Sequence, residues 1–383
     1  MVLLLYVLPI LFGIALSLNQ KQTYRRILLI IGLVIKIALA YAMTYMLINY
    51  YNYGDLNTYF FLARDISENT FVGELGELMW GGYWIALFNA GIFTIMPPSI
   101  YGLATVAGFS SFLYSYMILK SFDFYFDRNN RHWFWLLILF LPVLGAQSGY
   151  IGKEIYILPA VGWIFYRLSV KKRVTIDILL SVAFIGLVRP YQSVIIIACF
   201  FLTSIIVANE KMRVSTFVGF SVLVTGTFIF VSTSYFSQVS NLFSTVMDKG
   251  LGVFLKETYS HGNLELEPFP QPFTILQNFR PFIWESHNAS ALVASIENSV
   301  VLLLFVIFLI KCVCNRHVRS LLIRDYMLLF CCFYIAVYLF IYSYNPNIGD
   351  LSRRHTYYYP QLIALAFVVL STVKKSHIKS YHK

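Results

Sequence analysis

Long apolar runs, separated by short polar connections, occupy most of this chain of 383 residues. A helix needs about 20 apolar residues to cross a bilayer, and somewhat fewer where one end is buried in protein. On this criterion the pattern predicts eleven membrane spans: Val2–Leu18, Ile27–Ile48, Ser99–Leu119, Phe134–Ser148, Glu154–Leu168, Ile176–Val188, Gln192–Ala208, Thr216–Ser232, Leu292–Ile310, Leu321–Ser343 and Gln361–Val373. The predicted fold is an all-α polytopic membrane protein in which residues 1–383 form a single integral membrane domain.

The composition agrees with this class of protein. Hydrophobic residues make up 58% of the chain and charged residues 12%, and the mean hydropathy is +0.69. These values lie far outside the range of soluble globular domains. The net charge of +11 comes from short basic clusters between the apolar runs, which is the pattern of cytoplasmic loops and not of a nucleic-acid surface. We therefore expect no nucleic-acid partner.

The basic clusters also predict an orientation. They fall on every second connection, which by the positive-inside rule places those connections in the cytoplasm and the N-terminus outside. The clusters contain Lys21, Arg25, Arg26, Lys120, Arg128, Arg131, Lys171, Lys172, Arg173, Lys211, Arg213, Lys311, Arg316, Arg319, Lys374, Lys375, Lys379 and Lys383. Most of the acidic residues then lie on the outer face, and so do the two longest connections.

Residues 49–98 form the first outer loop. It contains an apolar run, Met79–Met96, and if this run crossed the membrane every later basic cluster would move outside. We therefore interpret it as an interfacial or re-entrant helix, which suits its tryptophan and tyrosine content. Residues 233–290 form the second large outer loop, with an amphipathic helix predicted at Ser240–Tyr259 and an irregular arm after it, because the prolines there interrupt a helix.

Asp55 opens the first outer loop at the point where the second span leaves the membrane. One interpretation is a solvated N-cap of a short predicted helix, Leu56–Ala63, since aspartate is a favoured cap. The other is a general base at the membrane surface, which could deprotonate an incoming hydroxyl group. Tyr59 and Arg64 lie nearby in the chain and are possible supporting residues.

Four further groups of ionisable residues lie at predicted outer edges: Lys153 with Glu154, then Arg189, then Arg280 with Glu285 and His287, and finally Arg353, Arg354 and His355. Such residues are costly near a membrane and need a partner or a role. Each has a structural alternative. Arg189 could bond carbonyls left free by Pro190, Lys153 could pair with Glu154, and the two last arginines could meet lipid headgroups. Together they predict an anion site, because arginine binds phosphate with two parallel hydrogen bonds and lysine supplies a point charge.

The layout resembles the GT-C superfamily of membrane glycosyltransferases. The basis is G-D-x-x-x-Y at Gly54–Tyr59 in a first outer loop, followed by a surface helix and many spans. The S-G-Y-I-G-K-E turn at Ser148–Glu154, the R-P pairs and the R-R-H loop are more similar to bacterial repeat-unit polymerases of the O-antigen and exopolysaccharide type. The first-loop motif lacks the D-x-D or E-x-D pair of metal-dependent GT-C enzymes, so we expect no metal and no other cofactor.

The resemblance implies a reaction at the outer face of the bacterial inner membrane. The donor would be an oligosaccharide on undecaprenyl pyrophosphate, and the acceptor a hydroxyl group of a second lipid-linked unit. Asp55 would orient or deprotonate the acceptor. Lys153, Arg189 and Arg280 would hold the leaving pyrophosphate, with Arg353, Arg354 and His355 as second candidates for that role. The implied partners are this lipid-linked oligosaccharide, membrane lipid, and a chain-length regulator or a flippase.

Other classes of membrane protein fit parts of the pattern. A flippase or transporter of lipid-linked oligosaccharides would need charges along a path through the membrane, and Lys36 is the mid-span candidate. A GT-C transferase that adds one sugar from a polyprenyl-phosphate donor would share the layout. A membrane O-acyltransferase would need a histidine within a span, whereas the histidines fall in predicted loops and tails. The concentration of charge on one face favours chemistry at that face.

Overall fold

The computed structural model describes residues 6–50, 56–70, 80–126, 128–207, 273–286, 289–343, 345 and 348–380. Within these ranges the regular structure is helical and no strand occurs. Four described helices are long and apolar enough to cross a membrane, Thr23–Tyr50, Ile100–Tyr125, Pro190–Val207 and Ala291–Cys314, and a bent pair adds a fifth. The all-helical architecture and the apolar helices suited to a membrane are thus present, while the number eleven and the GT-C arrangement stay predictions.

The first half of the described chain contains ten α-helices: α1 (Leu8–Leu18), α2 (Thr23–Tyr50), α3 (Leu62–Ser67), α4 (Trp80–Ile95), α5 (Ile100–Phe122), α6 (Arg128–Phe140), α7 (Pro142–Ser148), α8 (Glu154–Lys171), α9 (Ile176–Val188) and α10 (Pro190–Val207). A π-helical turn, Asn57–Phe61, leads directly into α3. Four α-helices follow in the second half: α11 (Ala289–Cys314), α12 (Arg316–Arg324), α13 (Tyr326–Tyr342) and α14 (Ile348–Ser380). Two 3-10 helices, Phe273–Phe279 and Ile283–Glu285, precede α11.

The chain divides into two compact units. Unit 1 comprises Met1–Phe124, Arg131–Arg167 and Leu180–Gln192, and unit 2 comprises Tyr125–Asn130, Leu168–Leu179 and Ser193–Lys383. In unit 1 the long helices α2 and α5 pack closely against each other. A Cβ atom on Gly108 of α5 would lie 2.6 Å from the Cα atom of Ile37, so a larger residue there would push the two helices apart. The single integral domain stays a prediction.

Lys36 lies in the middle of α2 and is 1% exposed. Its ammonium group points toward α7, because a Cβ atom added to Gly145 would lie 3.5 Å from the Nζ atom. A lysine in this position needs compensation, since an isolated charge in a low-dielectric interior is strongly disfavoured. The cation predicted from sequence to be mid-span is therefore an interior residue of unit 1.

Two predicted spans are interrupted. The span predicted at Phe134–Ser148 is divided into α6 and α7 at Leu141, whose backbone is extended, because the proline at position 142 disfavours a helical conformation in the residue before it. The span predicted at Leu321–Ser343 is divided into α12 and α13, which meet at 98°. Asp325 is extended at this bend, and its side chain accepts hydrogen bonds from the backbone N–H groups of Met327 and Leu328.

The structure also corrects the last predicted outer loop. The residues Arg353, Arg354 and His355 are helical, because α14 begins at Ile348 and runs without a break through the span predicted at Gln361–Val373. Asp350 favours this early start, since acidic residues stabilise the first turn of a helix. In contrast, the apolar run predicted as a helix contains α4 at Trp80–Ile95, and the position of this helix relative to the membrane stays a prediction. The predicted helices Thr216–Ser232 and Ser240–Tyr259 lie outside the described residues.

Candidate functional site

Unit 2 contains a continuous hydrogen-bond network that begins at Arg280. The guanidinium group of Arg280 donates through Nε to Oε1 of Glu285 at 2.8 Å and through Nη1 to Oε1 of Gln277 at 3.1 Å. Glu285 uses its other oxygen, Oε2, to accept from the backbone N–H of Phe282 at 2.8 Å. Arg280 is buried, and the carboxylate of Glu285 compensates its positive charge. Burying this ion pair costs the desolvation of both groups.

The same network reaches the start of α14. Gln277 donates through Nε2 to the backbone carbonyl of Asn345 at 3.1 Å, and the Asn345 side chain donates to Oδ2 of Asp350 at 2.9 Å. Asp350 also accepts from Nη2 of Arg353 and Nε of Arg354, both at 3.0 Å. The structure therefore joins the sequence-predicted residues Arg280, Glu285, Arg353 and Arg354 through three residues that the sequence did not single out.

This network has a defined electrostatic character. Burial alone would raise the pKa of Asp350, but the guanidinium groups of Arg354 and Arg353 outweigh it, and the pKa lies well below its usual value. Asp350 is therefore ionised near neutral pH. The network joins three guanidinium groups to two carboxylates, and one of these carboxylates serves both Arg353 and Arg354.

A second layer of bonds fixes the 3-10 helix Phe273–Phe279 against α11, α13 and α14. Asn278 donates to the carbonyl of Leu339 at 2.8 Å and accepts from the hydroxyl of Tyr358 at 3.0 Å. The hydroxyl of Tyr359 donates to the carbonyl of Asn278 at 2.8 Å, and Asn298 donates to the carbonyl of Arg280 at 2.8 Å. Buried polar groups that are fully bonded hold their geometry well, so the backbone around Arg280 is rigidly placed.

His355 lies in this second layer and not among the charged groups. Its ring stacks on the ring of Tyr359, with the centroids 4.1 Å apart. Burial lowers the pKa of His355 to about 3, so the imidazole is neutral near pH 7. As a neutral ring it supplies no positive charge to a phosphate, which was the role expected for it from sequence.

An apolar groove of about 300 Å³ adjoins the network. Thr274 and Ile275 line it from the same 3-10 helix that carries Gln277 and Asn278, and Ser343 lines it two residues before Asn345. The remaining lining residues are Phe305, Phe308, Leu309, Cys332, Ile335, Ala336, Leu339, Phe340 and Leu365. A cationic cluster beside an apolar groove suits a ligand with an anionic head and a hydrocarbon chain.

Unit 1 contains a second candidate, a buried ion pair at the N-terminus of α8. Nη2 of Arg189 lies 2.9 Å from Oε1 of Glu154, and the two side chains are 5% and 0% exposed. The adjacent turn is crowded, since a Cβ atom on Gly152 would lie 2.9 Å from Oε2 of Glu154. Lys153 is partly buried in the same turn. The ion pair brings Arg189 and Glu154 together, although the sequence placed them in different turns.

The first outer loop is described only in part, and Asp55 and His287 lie outside the described residues. Tyr59 is buried, and its backbone carbonyl accepts from Nδ2 of Asn89 at 2.8 Å. Arg64 forms a surface ion pair with Asp65 at 3.2 Å, and pairs of this kind contribute little to stability. Tyr59 thus helps to hold the loop against α4, while Arg64 is partly exposed and lies over the ring of Phe61.

Sequence reasoning missed Gln277, Asn278, Asn298 and Asn345, all of which are buried. Gln277 and Asn278 lie in a 3-10 helix, Asn298 lies within the apolar helix α11, and Asn345 follows α13. An amide in or beside an apolar helix was the available signal, because a buried amide needs hydrogen-bond partners. For cofactors, the described ranges contain no group of three or more His, Cys, Asp or Glu side chains arranged to hold a metal ion. No family model, curated protein or solved structure matches the chain.

Proposed function

We propose that this protein is a membrane glycosyltransferase that joins sugar units carried on undecaprenyl pyrophosphate, with its site at the outer face of a bacterial inner membrane. The observation that carries the proposal is the pairing, within unit 2, of the Arg280–Asp350–Arg354 network with an adjoining apolar groove. In this proposal the chain has the eleven spans and GT-C layout expected from its sequence. Its product is a repeat-unit polymer of the O-antigen or exopolysaccharide type.

The charges of the network support binding of the pyrophosphate. Arg353 and Arg354 share the carboxylate of Asp350, and a bound pyrophosphate would compete for their N–H groups. Guanidinium groups suit this role because their planar donors match phosphate oxygens in pairs. Glu285 and Gln277 fix the guanidinium group of Arg280 by hydrogen bonds. A preorganised guanidinium group stabilises the negative charge that develops on the pyrophosphate as the glycosidic bond breaks.

The apolar groove supports a lipid-linked donor over a soluble one. Its aliphatic and aromatic walls suit an isoprenoid chain, and two of its lining residues, Thr274 and Ser343, lie close in the chain to Gln277 and Asn345 of the network. A nucleotide-sugar donor would leave such a groove without a purpose. The sequence also lacks a P-loop signature for nucleotide binding.

The proposed reaction is a displacement at the anomeric carbon of the donor sugar. The acceptor hydroxyl oxygen forms a bond to this carbon, and the bond from the carbon to the pyrophosphate oxygen breaks. The electron pair leaves with undecaprenyl pyrophosphate, whose charge the arginines neutralise. Asp55 takes the proton of the acceptor hydroxyl as the general base. In unit 1, Lys153 and Arg189 stay predicted anion contacts.

The test is synthesis by the purified full-length protein in proteoliposomes that contain an undecaprenyl-pyrophosphate-linked oligosaccharide. We expect longer saccharide products together with free undecaprenyl pyrophosphate. Arg280→Ala should lower the rate by about a hundredfold or more, because removing one preorganised charge from a transition state has effects of this size. Arg316→Ala, at an exposed arginine at the opposite end of α11 from the network, should keep the wild-type rate. Thermal unfolding in detergent shows whether Arg280→Ala remains folded, because Arg280 is buried against Glu285.

Different outcomes favour different functions. Equal rates for wild type and Arg280→Ala would remove the network from the mechanism. Movement of intact lipid-linked oligosaccharide across the bilayer, without chain extension, would identify a flippase, and the buried Lys36 would then be the first residue to study. Transfer of one sugar from a polyprenyl phosphate would identify a single-addition transferase.

A further inference from the structure

A second cavity lies in unit 1, far from the ion pair of Glu154 and Arg189. It has a volume of about 700 Å³ and is bounded by α1, by the connection to α2, by α5 and by α8. Trp163 and Tyr166 line it from α8, and twelve residues separate Tyr166 from Glu154. At 1.5 Å per residue, this places the cavity about 18 Å further along the helix axis. The glycosyl-transfer proposal makes no use of it.

The polar side of this cavity is cationic. Lys21, Arg25 and Lys120 line it, and no aspartate or glutamate does. Arg25 is compensated, because its Nη1 lies 3.0 Å from Oδ2 of Asp123. Lys120 instead donates to the neutral side-chain oxygen of Gln20 at 2.5 Å, and its Nζ lies 5.7 Å from the centre of the Tyr116 ring.

Neither lysine has a carboxylate partner among the described residues. Lys21 is exposed, and in this part of the chain neither Lys21 nor Lys120 forms an ion pair. Asp123 attracts the ammonium group of Lys120, but the carboxylate oxygens of Asp123 are bound by Arg25 and Arg131. The two lysines therefore add positive charge to the lining of the cavity. A ligand that complements this charge is an anion.

The other walls of the cavity are apolar. Phe12 and Leu16 lie one turn apart on α1, and Leu113 and Met117 lie one turn apart on α5. The apolar surface continues outward, because Leu8, Leu11 and Phe12 of α1 are all more than half exposed. An inorganic anion would leave this surface in water. A lipid would place its phosphate between the lysines and its chains along the apolar wall.

We propose that this cavity binds an anionic phospholipid of the adjacent leaflet, which is the cytoplasmic leaflet in the predicted orientation. Basic pockets between membrane helices on that side are known sites for anionic headgroups. The phosphate interacts with Lys21 and Lys120, and the acyl chains pack against Phe12, Leu16, Leu113 and Met117. Trp163 and Tyr166 lie near the predicted cytoplasmic end of the span Glu154–Leu168, and aromatic side chains favour the membrane interface.

Native mass spectrometry of the full-length protein tests this site. The protein is equilibrated in nanodiscs that contain phosphatidylglycerol and phosphatidylcholine and is then released with its retained lipids. We expect one retained phosphatidylglycerol per chain in preference to phosphatidylcholine. The double variant Lys21→Gln with Lys120→Gln should weaken this retention by about tenfold or more, because each lysine near an anionic lipid raises the affinity roughly fivefold.

Two further variants keep the experiment decisive. Lys171→Gln with Arg173→Gln removes the same charge from an exposed connection and should leave retention unchanged. Leu16→Trp keeps both lysines but fills the apolar part of the cavity, and should also reduce retention. If the lysine variant fails to fold, the Leu16→Trp result and the preference of the wild type between the two lipids decide the question.

Three results would overturn the proposal. The first is equal retention of the two lipids by the wild type. The second is equal loss of phosphatidylglycerol in the cavity variant and the charge-matched control. The third is displacement of the lipid by millimolar inorganic phosphate without any effect of Leu16→Trp, which would identify a small-anion site instead.

Discussion

Glu154 and Arg189 are buried as an ion pair. The charge of each residue compensates the cost of burying the charge of the other. Removing one member of such a pair leaves an uncompensated ion, which costs several kcal/mol, whereas replacing both by neutral groups of similar shape is often tolerated. A loss of activity in Arg189→Ala would therefore not show that Arg189 binds phosphate. A loss of folding explains it equally well.

The stability of variants at this pair is the first prediction. Arg189→Ala should lower the free energy of unfolding by about 3–5 kcal/mol, because the carboxylate of Glu154 loses its cation. The double variant Glu154→Gln with Arg189→Gln should recover most of this loss. Thermal unfolding of the purified protein in detergent measures both effects. A stable Arg189→Ala, or a double variant as unstable as the single one, would contradict the assignment.

At the same scale, single residues were partly predictable. The sequence identified Arg280, Arg353 and Arg354 because charges at membrane edges are conspicuous in an apolar chain. It did not identify Gln277, Asn345 or Asp350 as their connection. Hydrophobic patterns indicate which residues lie near a helix end, but hydrogen bonds depend on the rotation and height of each helix, and these are set by packing.

At the scale of single helices, Asp325 stabilises the bend between α12 and α13. Its carboxylate caps α13 by accepting from two backbone N–H groups, and it also accepts from Nζ of Lys172 at 2.7 Å. A cap contributes about 1 kcal/mol and at most about 2 kcal/mol. The ion pair is partly exposed and contributes less. The cap should therefore be the more important of the two interactions.

The second prediction separates the cap from the ion pair. Asp325→Ala should lower the free energy of unfolding by about 1–2 kcal/mol. Asp325→Asn keeps an oxygen that accepts from the backbone and should cost only a few tenths of a kcal/mol. Thermal unfolding in detergent distinguishes the two variants. If asparagine were as destabilising as alanine, the interaction with Lys172 and not the cap would hold the bend.

The hydropathy pattern predicted where helices lie, but it did not predict where they are interrupted. Ile176–Val188 was predicted with the bounds that the structure has, because a clear apolar run ends on both sides at polar or proline residues. The divisions at Leu141 and Asp325 fall within apolar runs. They depend on one proline and one capping carboxylate, which an averaged window of hydropathy does not resolve.

The orientation of the chain is a question for the whole molecule. It was predicted from basic clusters alone, and the ends of unit 2 offer a direct check. Trp284 is 79% exposed and belongs to the predicted outer face, while Lys171 is exposed and belongs to the predicted cytoplasmic face. Both residues lie in unit 2, so the comparison concerns one compact body.

The third prediction concerns labelling of these two positions. Cys314, the exposed thiol, and Cys312 and Cys332, the two partly exposed thiols, are first replaced by serine. A membrane-impermeant maleimide should then label Trp284→Cys in intact cells, and Lys171→Cys only after permeabilisation. The reverse result would place the Arg280 network in the cytoplasm and exclude chemistry at the outer face.

The central claim is that the Arg280 network of unit 2 binds an anionic lipid-linked sugar donor, and that the predicted base Asp55 is needed for the reaction. Synthesis by purified protein in proteoliposomes tests it most directly. The account predicts chain extension with release of undecaprenyl pyrophosphate by the wild type, and loss of this product in Asp55→Asn at unchanged protein level. Absence of extension by the wild type, or normal extension by Asp55→Asn and Arg280→Ala, would contradict it.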